Sequence, residues 1–159
     1  MTVETMIVGN GETATVGRHG IACAGHGGTA SAGHGGTASA GDGGTATTGD
    51  DGTAIAGYGG TATTGRYGTA TAGYFGGAVA GHYGRATAEY NGTATVGRHG
   101  TATVGHYGTA SAGYKGIIVI GWRGSGRRWL TVGHVGEDGI RADTPYRCNS
   151  FGQLVQVTA

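Results

Sequence analysis

The sequence predicts an all-β fold: a β-solenoid (β-helix) of eight-residue strand–turn units, two units or 16 residues to a flattened coil, with a small β cap at the C-terminal end. Three observations predict it. Of 159 residues, 39 are Gly and one is Pro; the glycines recur every eight positions; and between them Thr alternates with Ala. Collagen is excluded because Gly does not fall on every third position, and a flexible Gly/Ser linker because Thr, Ala and Tyr keep register with the glycines. With 37% apolar residues, mostly Ala, and 12% charged residues, the chain fits neither a conventional Leu-rich core nor a charge-rich disordered segment.

Residues 5–124 divide into fifteen units without insertion or deletion. The consensus is T-A-T-A-G-x-x-G. Position five is Gly in all but Glu89 and position eight in all but Glu12, which accounts for 28 of the 39 glycines. The T-x-T-x stretch alternates its side chains between two faces, as a four-residue strand does, and Thr favours strands. The G-x-x-G stretch reads as a tight turn whose glycines are expected to take positive φ. Ala, Val or a second Thr at positions two and four belong inside, and Thr or Ser at positions one and three outside. A triangular 24-residue coil would enclose a lumen too wide for Ala to fill, whereas two facing strands bring Ala and Val into contact. About seven to eight coils at ~4.8 Å per strand give a rod roughly 35 Å long.

The two edges and two faces then differ. One edge stacks Tyr58, Tyr74, Tyr90, His106 and Trp122 as an aromatic ladder at 16-residue spacing. The opposite edge reads Arg18, His34, Asp50, Arg66, His82, Arg98 and Tyr114, a mixed charged series. The face of the even-numbered units carries Thr13/Thr15, Thr29/Ser31, Thr45/Thr47, Thr61/Thr63, Thr93/Thr95 and Thr109/Ser111, with Gly77/Val79 the one rung lacking hydroxyls. The odd face is interrupted by Ile21, Cys23, Ile55 and Arg85. The even face is therefore the candidate for binding a regular surface.

Open strand edges at the ends of a solenoid template further pairing unless covered. Residues 1–12 form the expected N-terminal cap and first unit, with Met6, Ile7 and Val8 in place of small residues; 13–124 form the repeat array; 125–159 form a C-terminal β cap. Ile117-Ile-Val-Ile120 closes the array, and strands are predicted at Arg128–Val132 and Gln153–Val157, with an extended stretch at Thr144–Arg147.

A net charge of +1 gives no field for nucleic acid or an acidic membrane, so neither is an expected partner. No apolar run reaches the ~18–20 residues needed to cross a bilayer, the N-terminal stretch lacks signal-peptide character, and a cytoplasmic location is the expectation. Cys23 and Cys148 form no CxxC pair, so neither a disulfide framework nor zinc is indicated. Six of the seven histidines (His19, His26, His34, His82, His99, His106) occupy exposed turn positions. The pairs His26/Asp42 and His34/Asp50 supply too few ligands for a structural metal. Gly25-His-Gly-Gly28 lacks the Lys-Ser/Thr of a phosphate loop, and no nucleophile, base and orienting group converge. No enzyme activity and no cofactor are expected.

At Ala56-Gly-Tyr-Gly-Gly-Thr-Ala-Thr-Thr64 and Thr69-Ala-Thr-Ala-Gly-Tyr74 the chain resembles the AGYGSTxT octapeptides of bacterial ice-nucleation proteins, over about 120 residues. The resemblance implies a β-solenoid whose outward Thr-x-Thr rows order water and whose tyrosine ladder mediates pairing. Those roles fall here on the even-face pairs and on Tyr58, Tyr74 and Tyr90. The tail, Val132–Ile140 with Asp143-Thr-Pro-Tyr-Arg147 and Gly152–Val157, looks like that of small Thr-Ala-Gly repeat proteins of bacterial genomes and prophages, which implies a phage-linked accessory role.

Two functions follow as expectations. The first is a non-catalytic rigid rod that binds a protein partner, such as a host factor it inhibits, or its own copy as a homodimer. Its contacts would be the aromatic edge Tyr58, Tyr74, Tyr90, His106 and Trp122 and the basic-aromatic cluster Arg123, Arg127, Arg128 and Trp129. The second is ice or water-interface binding through the Thr ladder.

Overall fold

The computed structural model describes residues 3–124 and 126–158; residues 1 and 2 of the expected N-terminal cap, and 125 and 159 of the C-terminal cap, lie outside the described residues. The repeat units become the strands β1 (Thr5–Ile7), β2 (Thr13–Val16), β3 (Ile21–Ala24), β4 (Thr29–Ala32), β5 (Thr37–Ala40), β6 (Thr45–Thr48), β7 (Thr53–Ala56), β8 (Thr61–Thr64), β9 (Thr69–Ala72), β10 (Gly77–Ala80), β11 (Arg85–Ala88), β12 (Thr93–Val96), β13 (Thr101–Val104), β14 (Thr109–Ala112) and β15 (Ile117–Gly124). The cap adds β16 (Arg127–His134), β17 (Tyr146–Cys148) and β18 (Leu154–Gln156).

Odd strands β1 to β15 pair in parallel and in order, with β16 antiparallel beyond β15; even strands β2 to β14 form the second parallel sheet, with β17 and then β18 added antiparallel. Each coil-to-coil register is offset by 16 residues, for example Thr29↔Thr45 and Thr53↔Thr69. The flattened two-unit coil is thus the observed architecture, a β-solenoid of about seven turns.

The core is as thin as the composition requires. Position-two alanines such as Ala30, Ala62 and Ala94 are fully buried, as are the position-four residues, most of them Ala or Val. Position four also buries Thr48 and Thr64, whose hydroxyls find no hydrogen-bond partner. At the last coil Ile118 and Ile120 replace the alanines and pack in one cluster with Val135, Ile140 and Tyr146 of the cap.

The turns correct one expectation. The consensus glycines at positions five and eight do not take positive φ; the left-handed residue is position seven, in every unit from the first to the fourteenth. It is Gly in five of them and otherwise Asp51, Asn91, Lys115, His19, His99, Tyr67, Tyr83, Tyr107 or Phe75, at φ 54–63°. This is the φ pattern of a type II turn, closed by the position-eight N–H donating to the position-five carbonyl, as from Gly60 to Gly57 at 3.1 Å. A left-handed non-Gly residue costs about 1–2 kcal/mol. The compensation is a hydrogen bond from its N–H to the position-six carbonyl of the next coil, as from Tyr67 to His82 at 3.0 Å and from Tyr83 to Arg98 at 2.8 Å.

The consensus glycines are required by proximity instead. A Cβ on Gly60 would lie 2.8 Å from the carbonyl oxygen of Gly44 one coil below and 2.9 Å from the Ala56 Cβ; one on Gly41 would lie 2.9 Å from the His26 nitrogen. Coils 16 residues apart stack so closely at the corners that only hydrogen fits.

The final unit departs from the rest. Gly121-Trp122-Arg123-Gly124 does not turn but continues β15, so that β15 and β16 form a long hairpin from Ile117↔His134 to Gly124↔Arg127. β16 is longer than the predicted Arg128–Val132, the last strand is Leu154–Gln156 rather than Gln153–Val157, and the extended stretch before it forms β17 at Tyr146–Cys148.

Candidate binding surfaces

The sequence places residues on these surfaces by register, and the parallel ladders convert register into columns. On the even sheet Thr13, Thr15, Thr29, Ser31, Thr45, Thr47, Thr61, Thr63, Thr93, Thr95, Thr109 and Ser111 all point outward in seven aligned rungs, exposed or half-buried. Gly77 and Val79 of β10 break the row at its fifth rung. β17 pairs with β14 at Ala110↔Tyr146 and ends the ladder.

The odd edge holds two aromatic columns rather than one. Tyr74, Tyr90 and His106 follow one another at 6.1 Å between ring centroids. A second column from position seven interleaves with them: Phe75 meets Tyr58 at 5.5 Å and Tyr90 at 6.0 Å, and Tyr107 meets Tyr90 edge-on at 5.6 Å and His106 at 3.8 Å. Such tilted and edge-to-face pairs add about 0.5–1.5 kcal/mol beyond burial. Phe75 and Tyr107 share the 16-residue spacing, and a reading of position seven as well as position six would have found them.

Trp122 corrects the end of the ladder. Because residues 121–124 stay in the strand, its ring does not follow His106 but stacks on Trp129 across the hairpin at 6.2 Å and 22°. The Trp122 indole nitrogen is buried without a partner, while Trp129 Nε1 donates to the Gly124 carbonyl at 3.3 Å. The hairpin also sets Arg123 directly opposite Arg128, two exposed like charges, with Arg127 opposite Gly124 at the tip. The basic-aromatic cluster is therefore real as a unit, brought together by strand pairing.

Beyond the last turn the hairpin overhangs the odd edge and creates a corner. The resulting cleft, about 1280 Å³, is open and lined by Tyr90, His106 and Tyr107 on one side and by Trp122, Arg123, Arg128, Trp129 and Leu130 on the other. Glu89, the one non-glycine at position five, lies on its floor beside Gly105. The cleft thus joins aromatic surface, two unpaired guanidinium groups and one carboxylate. The Arg123 backbone N–H donates to His106 Nδ1 at 3.2 Å, tying hairpin to ladder.

The even edge is not only a charged series. Tyr67, Tyr83 and His99 form a flat stack, at 5.2 Å and 12° and then 4.9 Å and 7°. Beside it Arg66 approaches Asp50 at 3.9 Å, and His34 approaches Asp51 at 3.7 Å rather than the expected Asp50. Both edges also use position six to cap the stack: Asp42, Asp50 and His82 accept from the backbone N–H groups of Tyr58, Arg66 and Arg98 one coil on, at 2.8, 2.7 and 3.0 Å.

Among the described residues no group of three or more His, Cys, Asp or Glu side chains could hold a metal ion, and no helix is long and apolar enough to cross a membrane. Both cysteines are free. Burial pushes the Cys148 thiol up from its ordinary value, against a smaller lowering by the Thr131 hydroxyl, the opposite of what activates a nucleophile. Comparison with protein-family models, curated proteins and solved structures found no match for this chain.

Proposed function

We propose that this chain is a non-catalytic, rigid β-solenoid that docks a protein partner along its odd aromatic edge and in the corner beneath the β15–β16 hairpin. The observation that carries this reading is the corner itself, where Tyr90, His106 and Tyr107 meet Trp122, Trp129, Arg123 and Arg128 around a cleft of about 1280 Å³. Aromatic side chains and arginine contribute most at protein interfaces, and a scaffold fixed by parallel ladders loses little entropy on docking. The setting, a phage or prophage accessory protein that inhibits a host factor, rests on the resemblance of the tail. Tyr90→Ser with Arg123→Glu should remove a stoichiometric partner captured by the parent protein from host lysate, with circular dichroism unchanged. A partner retained in full by the folded variant would rule out the corner.

A second reading, binding to ice or an ordered water interface, is favoured by the aligned outward Thr ladder of the even sheet. Thr45, Thr47, Thr61 and Thr63 replaced by Lys should abolish inhibition of ice recrystallisation. Inhibition that survives these changes, or is missing in the parent, counts against it.

A further inference from the structure

We infer that the C-terminal end of the rod is a dimerisation surface, on which the free edge of β16 pairs antiparallel with β16 of a second copy.

Backbone parity defines the edge. Ile117 donates its N–H back to Gly100 at 2.9 Å, and Arg123 donates to His106, so the odd-numbered residues of β15 face the preceding coil and the even-numbered ones face β16. Val135 donating to Gly116 at 3.0 Å continues the same alternation. In the antiparallel register Ile118↔Gly133 and Ile120↔Thr131, Gly133 and Thr131 are thus the inward-facing residues of β16. The N–H and C=O groups of Arg128, Leu130 and Val132, with the N–H of His134, point out along the rod axis. Among the described residues only the His134 carbonyl is taken, by the N–H of Glu137 at 3.1 Å, and β16 ends its sheet.

This edge lacks the usual protections against pairing. It is eight residues long, and its outward Leu130 and Val132 side chains are 71% and 53% exposed. The other end of the rod is blunted by contrast. There β1 has only three residues, and the Glu4 carboxylate and Met6 sulfur accept from the Gly17 and Thr15 N–H groups of β2 at 2.9 and 3.4 Å.

Charge and register favour a second copy over another occupant. Placing the two-fold axis at Thr131 sets Leu130 opposite the second copy's Val132 and Arg128 opposite its His134. Arg127 and Arg128 of each copy then lie beside the Glu137–Asp138 turn that follows β16 in the other. None of these four charged residues has an ion-pair partner in its own chain among the described residues. A head-to-tail contact would instead offer the basic tip Glu4 and Glu12, whose carboxylates are already engaged by Gly17 and Gly9. The free edge points away from the aromatic columns, so pairing there goes beyond the partner-docking reading and does not depend on it.

Sedimentation of the intact chain at tens of micromolar tests this. The parent should sediment at twice 15.6 kDa. Val132→Pro removes an outward N–H while sparing the β15 ladder, and should give a folded monomer with unchanged circular dichroism. Arg128→Glu should weaken the dimer at least tenfold, and adding Glu137→Lys to the same chain should restore it. A monomeric parent overturns the proposal, as does a Val132→Pro variant that stays dimeric, an open series of higher oligomers, or no rescue by the second charge reversal. A dimer lost instead on Tyr58→Ala with Tyr74→Ala assigns pairing to the aromatic edge and also overturns it.

Discussion

Thr48 and Thr64 stand where every other unit from the second to the fourteenth has Ala or Val. Both lie on the even sheet in adjacent strands, and both bury a hydroxyl that has no partner. A buried donor left unsatisfied costs about 1–3 kcal/mol, whereas an apolar group of the same shape can be neutral or stabilising. Val already fills position four at Val16, Val96 and Val104. Thr48→Val and Thr64→Val should therefore each raise stability by about 1 kcal/mol, seen as a higher urea midpoint at unchanged m-value. A lowered midpoint would mean that the hydroxyls are satisfied by something other than the chain. The inward direction of position four is legible from alternation alone, but that these two threonines are orphaned depends on what surrounds them in the closed coil.

At the scale of the strand–turn unit, register is the most legible feature, because a period of eight admits no slip without displacing every glycine. The reason for the glycines is not legible in the same way. A G-x-x-G turn suggests positive φ at Gly, yet position seven adopts it whatever residue stands there, and positions five and eight are glycine because the coil below leaves no room for Cβ. The two causes predict opposite responses in one turn. Gly60→Ala puts a Cβ 2.8 Å from a backbone oxygen and should cost about 1–3 kcal/mol by overpacking. Gly59→Asn, at φ 64° with nothing within 4 Å of its Cβ, should cost well under that. Chemical denaturation of the two variants side by side decides between them, and equal losses would return the glycines to a conformational role. The final unit shows the limit of reading by period: Gly121-Trp122-Arg123-Gly124 keeps the consensus glycines, yet pairing with β16 holds it extended.

Over the whole molecule, stability and surface both change at the C-terminal end. The Ala lumen gives way to Ile118 and Ile120, which pack with Val135, Ile140 and Tyr146 and seal the two-sheet stack. In a solenoid each coil is held by its neighbours, so the seal is expected to limit fraying. Ile118→Ala should cost about 2–5 kcal/mol, and hydrogen exchange should show protection lost first in β13 to β18, with β4 to β8 retained. Uniform loss along the rod would show that it unfolds as one cooperative body. The sequence by itself determined the strand period, the 16-residue coil, the inward Ala row and the outward Thr ladder, because each follows from side-chain size and alternation repeated in register. Only the tertiary structure decided where the repeat stops turning, how Trp122 leaves the aromatic ladder for Trp129, and that a corner opens beside Tyr90 and His106. Those features arise from contacts between the array and a non-repeating tail, and a periodic pattern carries no information about the segment that breaks it.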